Sequence, residues 1–452
     1  MRINVQTISI HVTHLIQHLR DQLCDRSFCA RHRDRPQDFT RERQLTFPIV
    51  MLFALQKTVK SIQRHLHEFL DQLAGGQLFE PVSAGAWTHA RSKLKHTAFI
   101  ELNRASVLPT IYQEPHAPSV ARWRGHRLLG MDSSLLRLPK HEELFEQFSR
   151  VEVSNHLGST GVCYPEGRMS VLYDLLNRVA LDGRLEPSSV GEVDLAMEQL
   201  TQARPGDVVI CDRGFTGYLY LAWHHHLGLD YIARCSTGSF LAAQELFRRG
   251  RAGRSVVVKL FAPPGQKAQA RQLGLPLELR VRFVSVRLST GELEVLATSL
   301  LDAVEYPTPE FLEVYHWRWN HETFYGLMKS RLDLENFSGQ TAESVRQDFH
   351  STLLLCNLES ILTSPIDAQF AEQSTPEQHP KQVNRSVAYH ALKHQLLPLL
   401  YSNQPIEEVV AKLQGLFTAS PAIKRLGRKV PRQKMSLGRS YHYQRNVKKI
   451  VF

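Results

Sequence analysis

Apolar residues recur at helical spacing early in the chain. Leu45, Ile49, Leu52, Phe53 and Leu55, then Val59, Ile62, Leu66, Phe69 and Leu70, fall on continuous helical stripes. Gly75-Gly76 closes that stretch. Ser83 predicts the N-cap of a further helix with Trp87, Ala90, Leu94, Phe99 and Leu102 along one side. Residues 1 to about 120 therefore read as a helical domain. Arg91, Lys93, Lys95 and Arg104 fall on the other faces of that last segment, as a solvated surface or a DNA-contacting one.

From about residue 121 the pattern shifts to short apolar runs alternating with helical periodicity. Residues 127–132 (RLLGMD) and 207–212 (DVVICD) read as buried strands, each ending in an aspartate. Residues 168–176 and 179–185 predict a hairpin, 190–200 an amphipathic helix, 216–226 another helix and 230–234 a short strand. Such alternation predicts an α/β core with a partly parallel sheet. Residues 236–300 break the rhythm with strand-like runs at 255–261, 277–288 and 293–299, read as a β insertion within the same domain. A long helix is predicted from Thr308 towards Leu334, and another over 342–362. Pro365, Pro376 and Pro380 mark 364–382 as a loop or linker, and a helical segment over about 386–417 precedes the tail. The chain thus divides into a helical domain 1–120, an α/β domain 121–363, a linker with C-terminal helices 364–423, and a tail 424–452.

Composition narrows the class. The 452 residues are 42% hydrophobic and 22% charged, near globular averages, which excludes disordered and fibrous classes. No apolar run reaches the ~18 residues of a membrane span, and His11, His14 and His18 stand where a signal peptide needs an apolar core. Six cysteines in so long a chain do not make a disulfide scaffold, so a cytoplasmic location is expected. The net charge of +11 points to an anionic partner, nucleic acid first. That excess is concentrated. From Lys424 to Phe452 there are ten Lys and Arg and no acid, with Tyr441, His442 and Tyr443 among them, a composition suited to DNA contact.

The chemistry lies in the nearly charge-balanced remainder. Asp132 and Asp212 each close a core strand, and ligands of open α/β sheets gather at that carboxyl edge. One such Asp is more often a turn or helix-cap residue; two strengthen the functional reading, and a third acid would make a hard-cation site. In the helix after the β insertion, Tyr315, Arg318, Glu322 and Lys329 keep one face. A carboxylate there can ligate a metal while Arg and Lys hold phosphate oxygens; an ordinary surface stripe is the bland alternative. The absence of Cys and His from these positions favours Mg²⁺ or Mn²⁺ over Zn²⁺.

The order Asp, then Asp-Arg-Gly-Phe, then Tyr-x2-Arg-x3-Glu-x6-Lys resembles the Asp-Asp-Glu transposases of bacterial insertion sequences, in particular the Tyr-Arg-Glu-Lys group of the insertion-sequence-four family. The matching pieces are GMDSS, VVICDRGF and YHWRWNHETFYGLMKSRLDLENFSG, and the likeness covers most of residues 40–360. It implies a ribonuclease-H-like fold with an inserted β subdomain, in which Asp132, Asp212 and Glu322 converge to hold two Mg²⁺ ions, with Mn²⁺ able to substitute. It also implies Tyr315, Arg318 and Lys329 on the phosphates of the cleaved strand, with Arg213 a further phosphate contact or a surface residue. The implied reaction is cleavage at terminal inverted repeats and joining of the freed 3′ ends to target DNA, by a dimer on DNA. A non-catalytic DNA-binding derivative and a nuclease without strand transfer are the alternatives. The chain departs from the family pattern in two places: His321 replaces an aliphatic residue before the glutamate, and the strand at 293–298 has no aromatic to stack on a flipped base.

Three other clusters carry less. Cys24, Cys29 and His32 form half a zinc pattern with no second half. His224-His225-His226 cannot share one helix face and reads as a helix end. Arg248, Arg249, Arg251 and Arg254 around Gly250 read as a DNA-facing or solvated turn.

Overall fold

The computed structural model describes residues 5–41, 43–57, 61–75, 77, 80–112, 120–153, 162–288, 290–374 and 379–424. The cationic tail beyond Lys424, Val59 and Gly76 lie outside the described residues. Two compact units are formed. One comprises the described residues of Met1–Val120, Leu138–Gln147 and Met328–Phe452, the other Ala121–Arg137 and Phe148–Leu327.

The first unit is helical apart from a two-stranded pair, Lys381–Val383 with Pro421–Ile423. The apolar stripes become its core. Every residue of the helix Phe47–Leu55 except Pro48 is buried, and Leu66, Phe69 and Leu70 line the inner side of Ile62–Ala74. Gly75 ends that helix at φ 62°, the left-handed conformation glycine adopts without a Cβ clash. The expected cap is present: Ser83 Oγ accepts from Ala86 N at 3.1 Å.

Four expectations change here. Arg91 is not on a solvated or DNA-contacting face. It is 4% exposed and donates to Gln347 Oε1, Ser338 Oγ, Ser344 O and Asp348 Oδ1 at 2.6–2.7 Å. The expected loop at 364–382 is helical to Glu372, because the helix Ala342–Glu372 runs through Pro365, whose buried ring packs in the core. The expected α/β domain to residue 363 therefore differs from the compact unit, which closes at Leu327 and leaves that helix with the N-terminal helices. The last helical segment is two helices, Arg385–Leu400 and Ile406–Ala419, parted ahead of Pro405.

The second unit is mixed α/β around one sheet of nine strands. In chain order these are β1 (Leu128–Arg137), β2 (Ser149–Val153), β3 (Val162–Asp174), β4 (Val179–Pro187), β5 (Val208–Cys211), β6 (Asp230–Arg234), β7 (Ser255–Phe261), β8 (Glu278–Arg287) and β9 (Leu293–Thr298). Their order is β2-β3-β1-β5-β6-β9-β8-β7, with β4 pairing β3. β1, β5 and β6 are parallel; the other neighbours are antiparallel. β3 and β4 are the expected hairpin, turned by Arg178 at φ 58°. The strands of the insertion extend the main sheet, since β9 pairs with β6. No helix among the described residues is long and apolar enough to cross a membrane.

Two buried arginines hold this layout. Arg127 forms a bidentate pair with Asp207 at the amino ends of β1 and β5, just before the register pair Leu128↔Val208. Arg282, wholly buried in β8, donates to the carbonyls of Asp302 and Tyr306 and to Thr308 Oγ1, fastening the segment that leads into the helices after the insertion.

Candidate active site

The parallel strands decide where the aspartates meet. Met131 pairs with Cys211 and Cys211 with Ala233, so the next residues, Asp132, Asp212 and Arg234, stand side by side at the carboxyl edge. Residues in register on adjacent strands face the same side of a sheet. β1 does not end at Asp132 as expected; it continues to Arg137 against β3, and only its parallel pairing stops at Met131. Asp212 begins a 3₁₀ turn, Arg213–Phe215, yet its carboxylate makes no capping hydrogen bond, which sets aside the helix-cap reading.

The third acid comes from the segment after β9. The long helix expected from Thr308 is broken into Glu310–His316 and Trp319–Gly326. At the break, Trp317 N and Arg318 N bond three residues back, to Val314 O and Tyr315 O, which tightens the turn. Arg318 Nη2 donates to Glu322 Oε1 at 2.7 Å, and its guanidinium lies 5.7 Å from the centre of the Tyr315 ring. Tyr315 and Arg318 are buried, whereas Glu322 keeps a quarter of its side chain exposed.

The charges of these groups act on one another. Burial pushes the Asp132 carboxyl up to about 6, and the charges of Asp212 and Glu322 push the same way against the pull of Arg318 and a hydrogen bond from Ser133 N at 2.8 Å. Burial likewise holds the Tyr315 phenol well above its usual range. Arg234 Nη1 stands 3.7 Å from Asp212 Oδ1 and its Nε side is paired with Glu294. Arg213 is exposed, with Nη2 4.0 Å from Glu294 Oε1. Lys329 is half-buried in the short π-helical turn Leu327–Arg331 and falls in the other compact unit. The structure thus places Asp132, Asp212, Glu322, Tyr315, Arg318 and Arg213 in the second unit and Lys329 in the first.

Sequence reasoning missed several residues here. Arg234 and Glu294 occur in unremarkable strands, and only strand pairing carries them to the edge. Tyr325 donates from its hydroxyl to Asp132 O at 2.6 Å and accepts from Val171 N at 3.1 Å, tying the glutamate-bearing helix to β1 and β3. Its spacing three residues after Glu322 was the one available signal. His321 is wholly buried against Tyr173 and Tyr325, and burial holds its imidazole down to about 3, so it is neutral packing in place of an aliphatic residue.

Among the described residues no group of three or more His, Cys, Asp or Glu side chains is gathered as a metal cage. Glu322 is ion-paired with Arg318 and Asp212 with Arg234. The donors nonetheless suit a hard divalent cation: all three are carboxylates, and Asp212 Oδ1 is a buried oxygen with no hydrogen-bond partner among the described residues.

The weaker candidates resolve as structural. His32 is engaged by Thr97 Oγ1 and Glu101 Oε2 at 2.9 and 2.7 Å. His224 is buried and bonded to Tyr220 O at the end of its helix. Arg248 and Arg249 pair with Glu245 at the exposed end of the helix Leu241–Arg249, closed by Gly250, while Arg251 and Arg254 are solvent-exposed.

Comparison with known proteins places the chain in a family. The chain is 26% identical over 247 residues to the transposase InsG of insertion sequence element IS4 from Escherichia coli (strain K12), over 52% of each chain. It thus spans about half the length of that curated relative. A piggyBac transposase synaptic complex with hairpin DNA superposes at a TM-score of 0.44 with 11% identity, over 97% of this chain and 85% of that one, a likeness too loose to bear on the fold. Residues 123–358 match the transposase DDE domain, a class that implies divalent-metal use. That match takes in both strand-edge aspartates, Glu322 and more than half of the residues, and by it the chain belongs to the transposase DDE domain family.

Proposed function

We propose that this chain is a transposase of the insertion-sequence-four type that cleaves DNA at terminal inverted repeats and transfers the freed strand to target DNA. The observation that carries the reading is the register Met131↔Cys211, which aligns Asp132 with Asp212, under the ion-paired Arg318 and Glu322. A ribonuclease-H-like core is the fold this reading expects, and the meander β4-β3-β1 continued by parallel β5 and β6 supports it.

Asp132, Asp212 and Glu322 would hold two Mg²⁺ ions, or Mn²⁺ in their place. When bound, such ions neutralise charge on the transferring phosphoryl group and lower the pKa of the attacking water or 3′-hydroxyl. Arg318, fixed by Glu322 and the Tyr315 ring, presents its guanidinium to phosphate oxygens, a role its planar fork suits. The Tyr315 hydroxyl is buried without a hydrogen-bond partner among the described residues and is available to a phosphate. Lys329 and Arg213 add phosphate contacts from the following turn and from the residue after Asp212. In domain terms, residues 1–120 are a helical DNA-binding region, 121–363 the catalytic region with its β insertion, 364–423 a linker and helices, and 424–452 a DNA-contacting tail. The enzyme works as a dimer on DNA, since two element ends must be held together, and is cytoplasmic and nucleoid-associated.

Glu322→Ala tests the assignment on DNA carrying the element ends. Band-shift binding should persist, while Mg²⁺-dependent cleavage falls by at least about 10³-fold, the several kcal/mol of charge stabilisation such a site supplies. Cleavage at the wild-type rate would refute the assignment. Strand-transfer products from the unaltered chain distinguish it from a nuclease, and absence of all cleavage marks a DNA-binding derivative.

A further inference from the structure

Glu294 is a carboxylate in the wrong place for stability. It is 2% exposed, in a strand whose remaining residues are apolar or small, and burying a carboxylate costs several kcal/mol unless it is paired. Its partners come from both sides of Asp212. Arg234 stands next to Asp212 on the adjacent parallel strand and is directly opposite Leu296 of β9. Two residues along β9, on the same face, Glu294 meets it as a diagonal neighbour. Arg213, which follows Asp212 in the chain, reaches the other oxygen of Glu294 at 4.0 Å.

The geometry of Arg234 separates its two tasks. A guanidinium presents donors on several sides of a rigid plane. The Nε side is ion-paired with Glu294, without hydrogen-bond geometry, and Nη1 lies 3.7 Å from Asp212 Oδ1. That distance is an ion pair but too long for a hydrogen bond. The charge of Asp212 is balanced while the lone pairs of that buried oxygen stay open, which is what a metal ligand needs and what a direct arginine–carboxylate bond would deny.

Resting on the active-site reading above, we propose that Glu294 is a positioning residue that acts through Arg234: it draws the guanidinium back from Asp212 so that the aspartate is electrostatically supported yet free to bind a divalent cation. Without the Glu294 charge, Arg234 closes on Asp212 and competes with the metal.

The test uses the full chain. Mn²⁺ binding without DNA is followed by electron paramagnetic resonance, and cleavage kinetics are measured separately. Glu294→Gln keeps the shape and removes the charge. It should weaken Mn²⁺ binding and lower kcat by about 10- to 100-fold, the usual range for outer partners of metal ligands. The KM for DNA should move by less than about twofold, because substrate binding is not the step affected. Arg234→Lys, which keeps charge but cannot reach both carboxylates, should weaken Mn²⁺ binding less, and it carries the test if the Gln variant fails to fold. Asp212→Asn is the control. If it binds Mn²⁺ and cleaves as the unaltered chain does, the active-site reading itself fails. If it loses both while Glu294→Gln matches the unaltered chain, the positioning role is overturned and the site stands.

Discussion

Tyr325 shows how much one side chain contributes to aligning the acids. Its hydroxyl is shared between the carbonyl of Asp132 and the amide of Val171, which face one another across β1 and β3. A phenylalanine there would fill the same space and leave a buried carbonyl and a buried N–H without this partner. Tyr325→Phe should therefore lose about 1–3 kcal/mol in denaturant unfolding, the desolvation penalty of an unmade bond. Cleavage should fall with it, as the helix bearing Glu322 loses its tie to the strand bearing Asp132. Unfolding within about 0.5 kcal/mol of the unaltered chain, the range of an ordinary surface substitution, would show that the hydroxyl does not hold the two elements together.

At the scale of elements, the docking of the Trp319–Gly326 helix on β1 turns on a glycine with ordinary backbone angles. A Cβ on Gly130 would lie 2.8 Å from His321 Nδ1 and 2.8 Å from Leu175 Cδ2. Helix and strand meet there only because the side chain is absent, and His321 takes the room an aliphatic residue would occupy. Gly130→Ala should cost about 1–3 kcal/mol by overpacking. Adding His321→Ala should restore part of that loss, since residues in contact do not add. Denaturant midpoints of the two single variants and the double variant measure this, and simple additivity would mean that the helix does not rest on the strand at this point. The same docking explains the broken helix: the turn at Trp317–Arg318 lets Tyr315, Arg318 and Glu322 share one unit with the strand edge.

Across the whole molecule, the first unit carries buried cations of its own. Lys57 donates to the carbonyls of Asp333 and Leu334 at 3.1 and 2.9 Å, and Lys393 donates to Lys57 O at 2.8 Å. Burial lowers both ammonium groups from 10.5 to about 8. Between pH 8 and 10.5 the unfolded chain therefore binds more protons than the folded one, so these groups make stability rise with pH across that window. Below pH 8 both are charged in either state and the penalty of burying them is complete. Thermal unfolding of Lys57→Met should show a smaller rise in Tm from pH 8 to 10.5 than the unaltered chain; an equal rise would place the titration elsewhere. Arg91 and Asp348 follow the opposite logic, a fully satisfied pair whose mutual attraction offsets its burial.

Much of this was legible from local pattern. Runs of β-branched and apolar residues marked β5, β6 and the insertion strands within a residue or two, and the start of β1 but not its end, because a buried strand needs such side chains regardless of its partners. The pair of strand-edge aspartates and the spacing of Tyr315, Arg318, Glu322 and Lys329 were legible for a similar reason: each is a short-range property of the chain, although the structure spreads the four over two helices, the break between them and a π-helical turn. What the tertiary structure alone decided involves partners distant along the chain. Arg91 read as a surface charge because its acceptors stand about 250 residues away, at Ser338, Ser344, Gln347 and Asp348. Pro365 read as a breaker because its packing outweighs one lost backbone bond. Arg234 and Glu294 read as ordinary strand residues, and became neighbours of Asp212 only when β6 took its place between β5 and β9. Local propensity and periodicity are set by the few residues within a helical turn or a strand; burial and charge pairing are set by strand order and helix docking, which no local window contains.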